Sequence, residues 1–254
     1  MKKFKKLIPA LCMLLISAVL MGTSTYAWFS MNTTVTANGM EVKAKSESEF
    51  LQIINEDGTF SDTDAQATAT AKTTTNKIKP ITAVKEIAEN KKSVTQLDNT
   101  VLASNIKWAE AFSADPTKYE KATDYKEIQS TALNDYVLLN TFKVRMNPKT
   151  GVEESAGKLK VSDITVSSTN TTTANDALKA AVSVLFVCGD NFVLYKNGNY
   201  ITKAENYVLV DKVTTNATEI KVYIFFDGED EVTTTNNGTL LGDDGYKVEF
   251  SLSI

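Results

Sequence analysis

Tyr136-Val137-Leu138-Leu139-Asn140-Thr141-Phe142-Lys143-Val144-Arg145-Met146 is the stretch on which the fold turns. Aromatic and β-branched residues dominate it, and Asn147-Pro148 stops it. It reads as a strand, and from Asp135 onward the chain keeps that character. Leu159, Val161, Ile164 and Val166 are separated by polar residues. Ala180–Val187 is continuously apolar, which predicts a central strand covered on both faces. Phe192–Tyr195 and Tyr200-Ile201 flank Lys196-Asn197-Gly198-Asn199, a hairpin turn by its Asn-Gly pair. Val208–Val210 and Ile220–Phe226 follow. Tyr246, Val248, Phe250, Leu252 and Ile254 alternate along the last strand, on one face. Many short strands at regular spacing, divided by Gly, Asn and Asp turns, predict a mainly β fold: an antiparallel β-sandwich or jelly roll.

Working back toward the N-terminus, Thr33–Lys45 reads as extended chain, with a bulge or turn at Asn38-Gly39. Phe50–Ile54 is a short apolar strand closed by Asn55-Glu56-Asp57-Gly58. Residues 59–80 are rich in Thr, Ala and Asp and hold almost no large apolar side chain, so an exposed loop is expected. Ile81–Lys92 suggests a short helix after Pro80. Thr100–Phe112 fits helix or strand, Asp115-Pro116 breaks it, and Tyr119–Leu133 is expected to be helical. Residues 55–134 thus form a mixed, partly helical insertion in a single domain spanning 28–254.

The first 27 residues set the compartment. Four lysines in Met1–Lys6 precede an apolar run, Leu7–Met21, and then Gly22-Thr23-Ser24-Thr25-Tyr26-Ala27. This is the order of a secretory signal peptide, with Thr25 and Ala27 small enough for the −3 and −1 pockets of a signal peptidase. The apolar run is shorter than the roughly 20 residues that span a bilayer. Removing residues 1–27, with four lysines and no acid, leaves 227 residues and takes the formal charge from −4 to −8. The expected contact with membrane is through the signal peptide alone, and the expected location is extracellular or cell-surface.

An acidic surface disfavours nucleic acid as a partner, since phosphate binding needs a cationic footprint. Of 27 basic residues only Arg145 is an arginine. The chain has no histidine, which excludes histidine-based zinc sites and Ser-His or Cys-His nucleophile pairs. There is no GxGxxG, P-loop or CxxC motif. A non-enzymatic protein without cofactors is expected. Cys188 is the one cysteine left after processing; ending an apolar run, it reads as a small buried hydrophobe. Asp227, Glu229, Asp230 and Glu231 offer oxygen ligands of the calcium type. Their spacing fits no EF-hand loop, and a solvated turn between two strands is the simpler reading.

Ala27-Trp28-Phe29-Ser30, a Thr-rich stretch and Gly39-Met40-Glu41-Val42-Lys43-Ala44 together resemble the mature N-terminus of the TasA/camelysin family. These are secreted matrix proteins of spore-forming and related Gram-positive bacteria. The likeness covers about residues 20–45. It implies a jelly roll, assembly into biofilm fibres, and donation of the N-terminal strand to the next subunit. Carried onto this chain, the donor segment is about Trp28–Ala37, with Trp28, Phe29, Met31, Val35 and Ala37 as the residues to test. Strand addition takes affinity from backbone hydrogen bonds and specificity from alternate side chains, and a head-to-tail contact that does not close makes a filament. The competing expectation is that this strand folds back into its own sandwich. Some camelysin relatives are described as metalloproteases; without histidine the usual ligands for that activity are missing here. A second functional expectation is a monomeric adhesin or carbohydrate-binding module, with the 55–134 insertion and aromatics such as Trp108 as its binding face. Expected partners are further copies of the chain, other matrix proteins, or glycans.

Overall fold

In the computed structural model, the structure describes residues 35–36, 41–46, 51–54, 58, 66–69, 77–78, 80–112, 124–168, 179–202, 207–230, 233 and 246–254. Their strands are β1 (Val35–Thr36), β2 (Glu41–Ser46), β3 (Leu51–Ile54), β4 (Gln66–Ala69), β5 (Lys77–Ile78), β6 (Thr82–Ile87), β7 (Val94–Gln96), β8 (Lys107–Phe112) and β9 (Asp124–Glu127). They continue as β10 (Leu138–Met146), β11 (Leu159–Ser168), β12 (Val182–Cys188), β13 (Asn191–Lys196), β14 (Asn199–Thr202), β15 (Val208–Val210), β16 (Thr218–Phe226) and β17 (Tyr246–Ser253).

Two large sheets face each other. One has six strands in the order β14-β13-β12-β16-β10-β3, the other five in the order β15-β11-β17-β2-β4. The mainly β sandwich expected from the sequence is therefore present. Its core alternates as the pattern demands. Phe142, Val144 and Met146 of β10, Val184 and Phe186 of β12, and Ile220, Val222 and Ile224 of β16 point inward. From the opposite sheet come Leu159 and Val161 of β11 and Tyr246, Val248, Phe250 and Leu252 of β17. Phe250 is buried between two rings, edge-on to Phe186 at 4.7 Å and to Phe142 at 5.9 Å.

A third layer covers the outer face of the six-stranded sheet. It is a four-stranded sheet in the order β7-β6-β8-β9. Ile81, Ala83, Leu97, Val101 and Trp108 from this region pack on Leu185, Phe192, Leu194 and Phe225, the outward side chains of β12, β13 and β16. The continuous apolar run of β12 is thereby buried on both sides, as expected of it.

Other expectations need correction. Ile81–Lys92 holds strand β6, not a helix. Ile81, Val84 and Ile87 recur every three residues, which mimics a helical face. The cause is a register shift between Val84 and Glu86, a bulge that returns Val84 and Ile87 to one side of the strand. Tyr119–Leu133 is not a helix where it is described: it holds β9 and the start of a 3-10 turn, Ser130–Asp135. Thr100–Phe112 resolves into a 3-10 turn, Ala103–Asn105, followed by β8. The 59–80 stretch, expected as loop, contains β4, paired with β2, and β5, paired with β1. Small Thr and Ala side chains do not forbid a strand when a neighbouring strand supplies its ladder. Within the 55–134 segment, the four-stranded sheet begins at Thr82.

The pairing is also not wholly antiparallel. β17 and β2 run parallel, with Lys247 opposite Glu41 and Leu252 opposite Ser46. The β13–β14 hairpin, in contrast, follows its sequence closely: Asn197 (φ 46°) and Gly198 (φ 76°) both take the left-handed conformation of a type I′ turn.

Phe250→Ala is expected to lower unfolding free energy by about 3–5 kcal/mol. Leu139→Ala, at an exposed site of β10, is expected to change it by less than about 0.5 kcal/mol. Urea denaturation followed by far-UV circular dichroism checks both.

Candidate functional site: the N-terminal strands and the Asp227 junction

Of the expected donor segment, Val35 is described; Trp28, Phe29, Met31 and Ala37, with Thr25 and Ala27 of the cleavage site, lie outside the described residues. Val35 pairs with Ile78 and Thr36 with Lys77, in a two-stranded ladder apart from both large sheets. Among the described residues, β2 is the first strand of the sandwich, and it lies between β17 and β4. The first and last strands of the five-stranded sheet, in chain order, are thus side by side.

The polar centre of the molecule lies where the insertion meets the sandwich. Asp227 directly follows β16 and is 2% exposed. Its carboxylate accepts a hydrogen bond from the Thr82 hydroxyl and pairs with the Lys196 ammonium. It also accepts from the Glu229 amide at 3.0 Å. Backbone bonds surround it. Ile81 N–H donates to Phe226 O (2.9 Å), Asp227 N–H to Ala181 O (2.7 Å) and Gly228 N–H to Ile81 O (3.2 Å). Glu229 in turn accepts from the Tyr125 hydroxyl and the Gln96 amide, on β9 and β7.

The acidic run is therefore not simply a solvated turn. Asp227 binds β6 to β16 and β13, and Glu229 reaches two further strands of the outer sheet. Their carboxylate oxygens are engaged by these donors. Among the described residues no group of three or more His, Cys, Asp or Glu side chains is arranged to hold a metal.

Trp108, expected on a binding face, is buried instead. Its ring is edge-on to Phe225 at 5.2 Å and tilted against Tyr223 at 5.6 Å. It anchors the outer sheet to β16. Beside β6 and β8 lies an open cleft of about 610 Å³, lined by Lys85, Glu86, Thr100, Leu102, Ile106 and Lys107 among others, with no aromatic side chain in its wall. Next to it Asp98 accepts from the Thr100 hydroxyl (2.5 Å), the Lys85 ammonium (2.9 Å) and the Thr100 amide (2.8 Å), which hold its carboxyl down at about 2. Cys188 is buried, and burial, with the charge of Glu219, pushes its thiol up. That leaves little nucleophilic thiolate.

Comparison of the chain with protein-family models, with curated proteins and with solved structures found no match in any of the three. Among the described residues no helix is long and apolar enough to cross a membrane.

Asp227→Ala is expected to cost about 3–5 kcal/mol, because it strands a partly buried ammonium and leaves Thr82 unpaired. Hydrogen exchange should rise first in β6 and β8. Asp98 is expected to titrate near 2 by NMR. Because its carboxyl is held below its usual range, its contribution to stability is present above about pH 4 and is lost as pH falls through about 2. Asp98→Asn should remove that acid limb.

Proposed function

We propose that this chain is a non-catalytic structural protein of the cell surface or biofilm matrix, a fibre subunit that assembles by donating its N-terminal strand. The observation that carries the reading is the position of β1. Val35 and Thr36, in the middle of the Thr-rich segment that resembles a TasA-type N-terminus, pair with Ile78 and Lys77 outside both large sheets. A net backbone hydrogen bond contributes about 0.5–1.5 kcal/mol. A ladder that belongs to neither large sheet can be exchanged for one on a neighbouring subunit without opening the sandwich. From β2 onward the segment is held between two strands, which sets the boundary between the part that leaves and the part that stays.

The jelly-roll connectivity and the export route implied by the resemblance belong to this proposal. Trp28 and Phe29 then act as the apolar anchors of the donated strand, filling pockets of the next copy. A monomeric adhesin built on Trp108 is less well supported, because that ring is packed inside the molecule.

Residues 28–254 are expected to form filaments in negative-stain micrographs, and a chain beginning at Gly39 is expected to remain monomeric by light scattering. Monomers from both, over a wide range of concentration and pH, would sink the fibre reading.

A further inference from the structure

Lys196, Ser183, Phe225 and Asp227 share the outer face of the six-stranded sheet, beneath the third layer. Ser183 of β12 is opposite Lys196 of β13 on one side and opposite Phe225 of β16 on the other. Asp227 lies two residues beyond Phe225 and so falls on the same face. The Lys196 side chain reaches past β12 and brings its ammonium against Oδ2 of Asp227.

This pair differs from ion pairs at the surface. Lys92–Asp124 and Lys212–Glu154 are more than half exposed at both ends. Asp227 is 2% exposed and the Lys196 side chain 24%. The two carboxylate oxygens are also used differently. Oδ1 accepts from the Thr82 hydroxyl and from the Glu229 amide, the latter at 3.0 Å. Oδ2 faces the lysine nitrogen. One oxygen thus sits in a two-donor pocket of the kind that stabilises an oxyanion, while the other is turned toward a nucleophile. On the same face Ser183 Oγ is buried without a hydrogen-bond partner, so a new N–H donor beside it is not opposed.

We infer that Lys196 and Asp227 condense to an intramolecular isopeptide bond, a covalent cross-link between the end of β13 and the end of β16. The ammonium first passes one proton to Oδ2, which gives a neutral amine and a neutral acid. Nζ then attacks Cγ, and the negative charge that develops on Oδ1 is held by the Thr82 hydroxyl and the Glu229 amide. The nitrogen gives a second proton to Oδ2, the Cγ–Oδ2 bond breaks, and water leaves. One C–N bond replaces one C–O bond, both charges disappear, and nothing is oxidised or reduced. Contact between the reacting groups removes the entropic barrier of a bimolecular condensation, and a buried site favours a neutral amide over two charges. Thr82 belongs to β6, so the two-donor pocket is complete only once the third layer has docked, and the step follows folding. The rival reaction of an Asp-Gly sequence, closure to a succinimide, needs the Gly228 nitrogen, which is bonded to Ile81 O at 3.2 Å. Cys188 is free and is the one cysteine beyond the first 27 residues. The isopeptide supplies a covalent tie that no disulfide within the processed chain can. The step needs no second copy of the chain and does not rest on the fibre reading.

Intact mass spectrometry of the purified, denatured chain tests the assignment. The parent is expected one water lighter than its sequence, and its tryptic digest is expected to hold a branched peptide joining 180–203 to 222–247, uncut after Lys196. Lys196→Arg keeps the ion pair without a condensing amine and is expected at full sequence mass. Thr82→Val is expected to keep a full-mass fraction that the parent lacks. A folded parent at full sequence mass overturns the inference and leaves an ordinary ion pair. So does a loss of water that persists in Lys196→Arg, which assigns it to a succinimide at Asp227-Gly228. A Thr82→Val chain wholly one water lighter overturns the part given to that hydroxyl.

Discussion

A sheet whose central strands are apolar on both faces must be covered twice, and most of the architecture follows from that requirement. In β12, Val184 and Phe186 face the five-stranded sheet, while Leu185 and Val187 face the other way. Phe225 and Phe226 divide β16 in the same manner. A two-sheet sandwich alone would leave Leu185, Phe192, Leu194 and Phe225 in water, at a cost of about 1.5–3 kcal/mol for each large side chain. The outer sheet removes that surface. Its apolar side chains, Ile81, Ala83 and Trp108, point down onto these phenylalanines and leucines, so the insertion completes the core instead of decorating it.

Once a third layer must dock, its orientation has to be fixed, and apolar packing alone tolerates sliding. Asp227 supplies the fixed point. A carboxylate 2% exposed is costly unless satisfied, and only one placement of β6 brings the Thr82 hydroxyl to it while Ile81 bonds to Phe226 and Gly228. Other buried polar atoms lack such partners: Ser183 Oγ and Asn140 Nδ2 have no protein hydrogen bond within reach. By that contrast Asp227 contributes registry as well as stability, in keeping with the use of single buried polar groups to choose among alternative packings.

Strands whose burial alternates simply were legible in the sequence. β17 shows its period of two along most of its length, and the Asn197-Gly198 pair states its turn type outright. The doubly covered β12 was also readable, because a short unbroken apolar run in a β-rich chain points to a strand buried on both faces. Legibility failed where a local feature imitates another period or where the partner is distant. The β6 bulge converted a strand into an apparent helical spacing. β4 carries no large apolar residue and owes its existence to the ladder with β2. The parallel pairing of β2 with β17 joins residues some two hundred positions apart, and nothing local announces it. The candidate site was legible in part only. Asp227 and Glu229 stood out as acids, but a run of acids ordinarily means solvent. Their burial depends on strands 104 to 145 positions away in the chain.

That parallel pairing also bears on how an N-terminal segment can be exchanged. In a sandwich whose first strand lies at the sheet margin, pulling the N-terminus away would open the core. Here β2 has β17 on one side and β4 on the other, so it resists removal by two ladders. Among the described residues before it, Val35 and Thr36 pair with Ile78 and Lys77, which belong to neither large sheet. On the proposed reading, a subunit would release its leading strand to a neighbour and keep its own fold, the condition that polymerisation by strand donation places on a monomer.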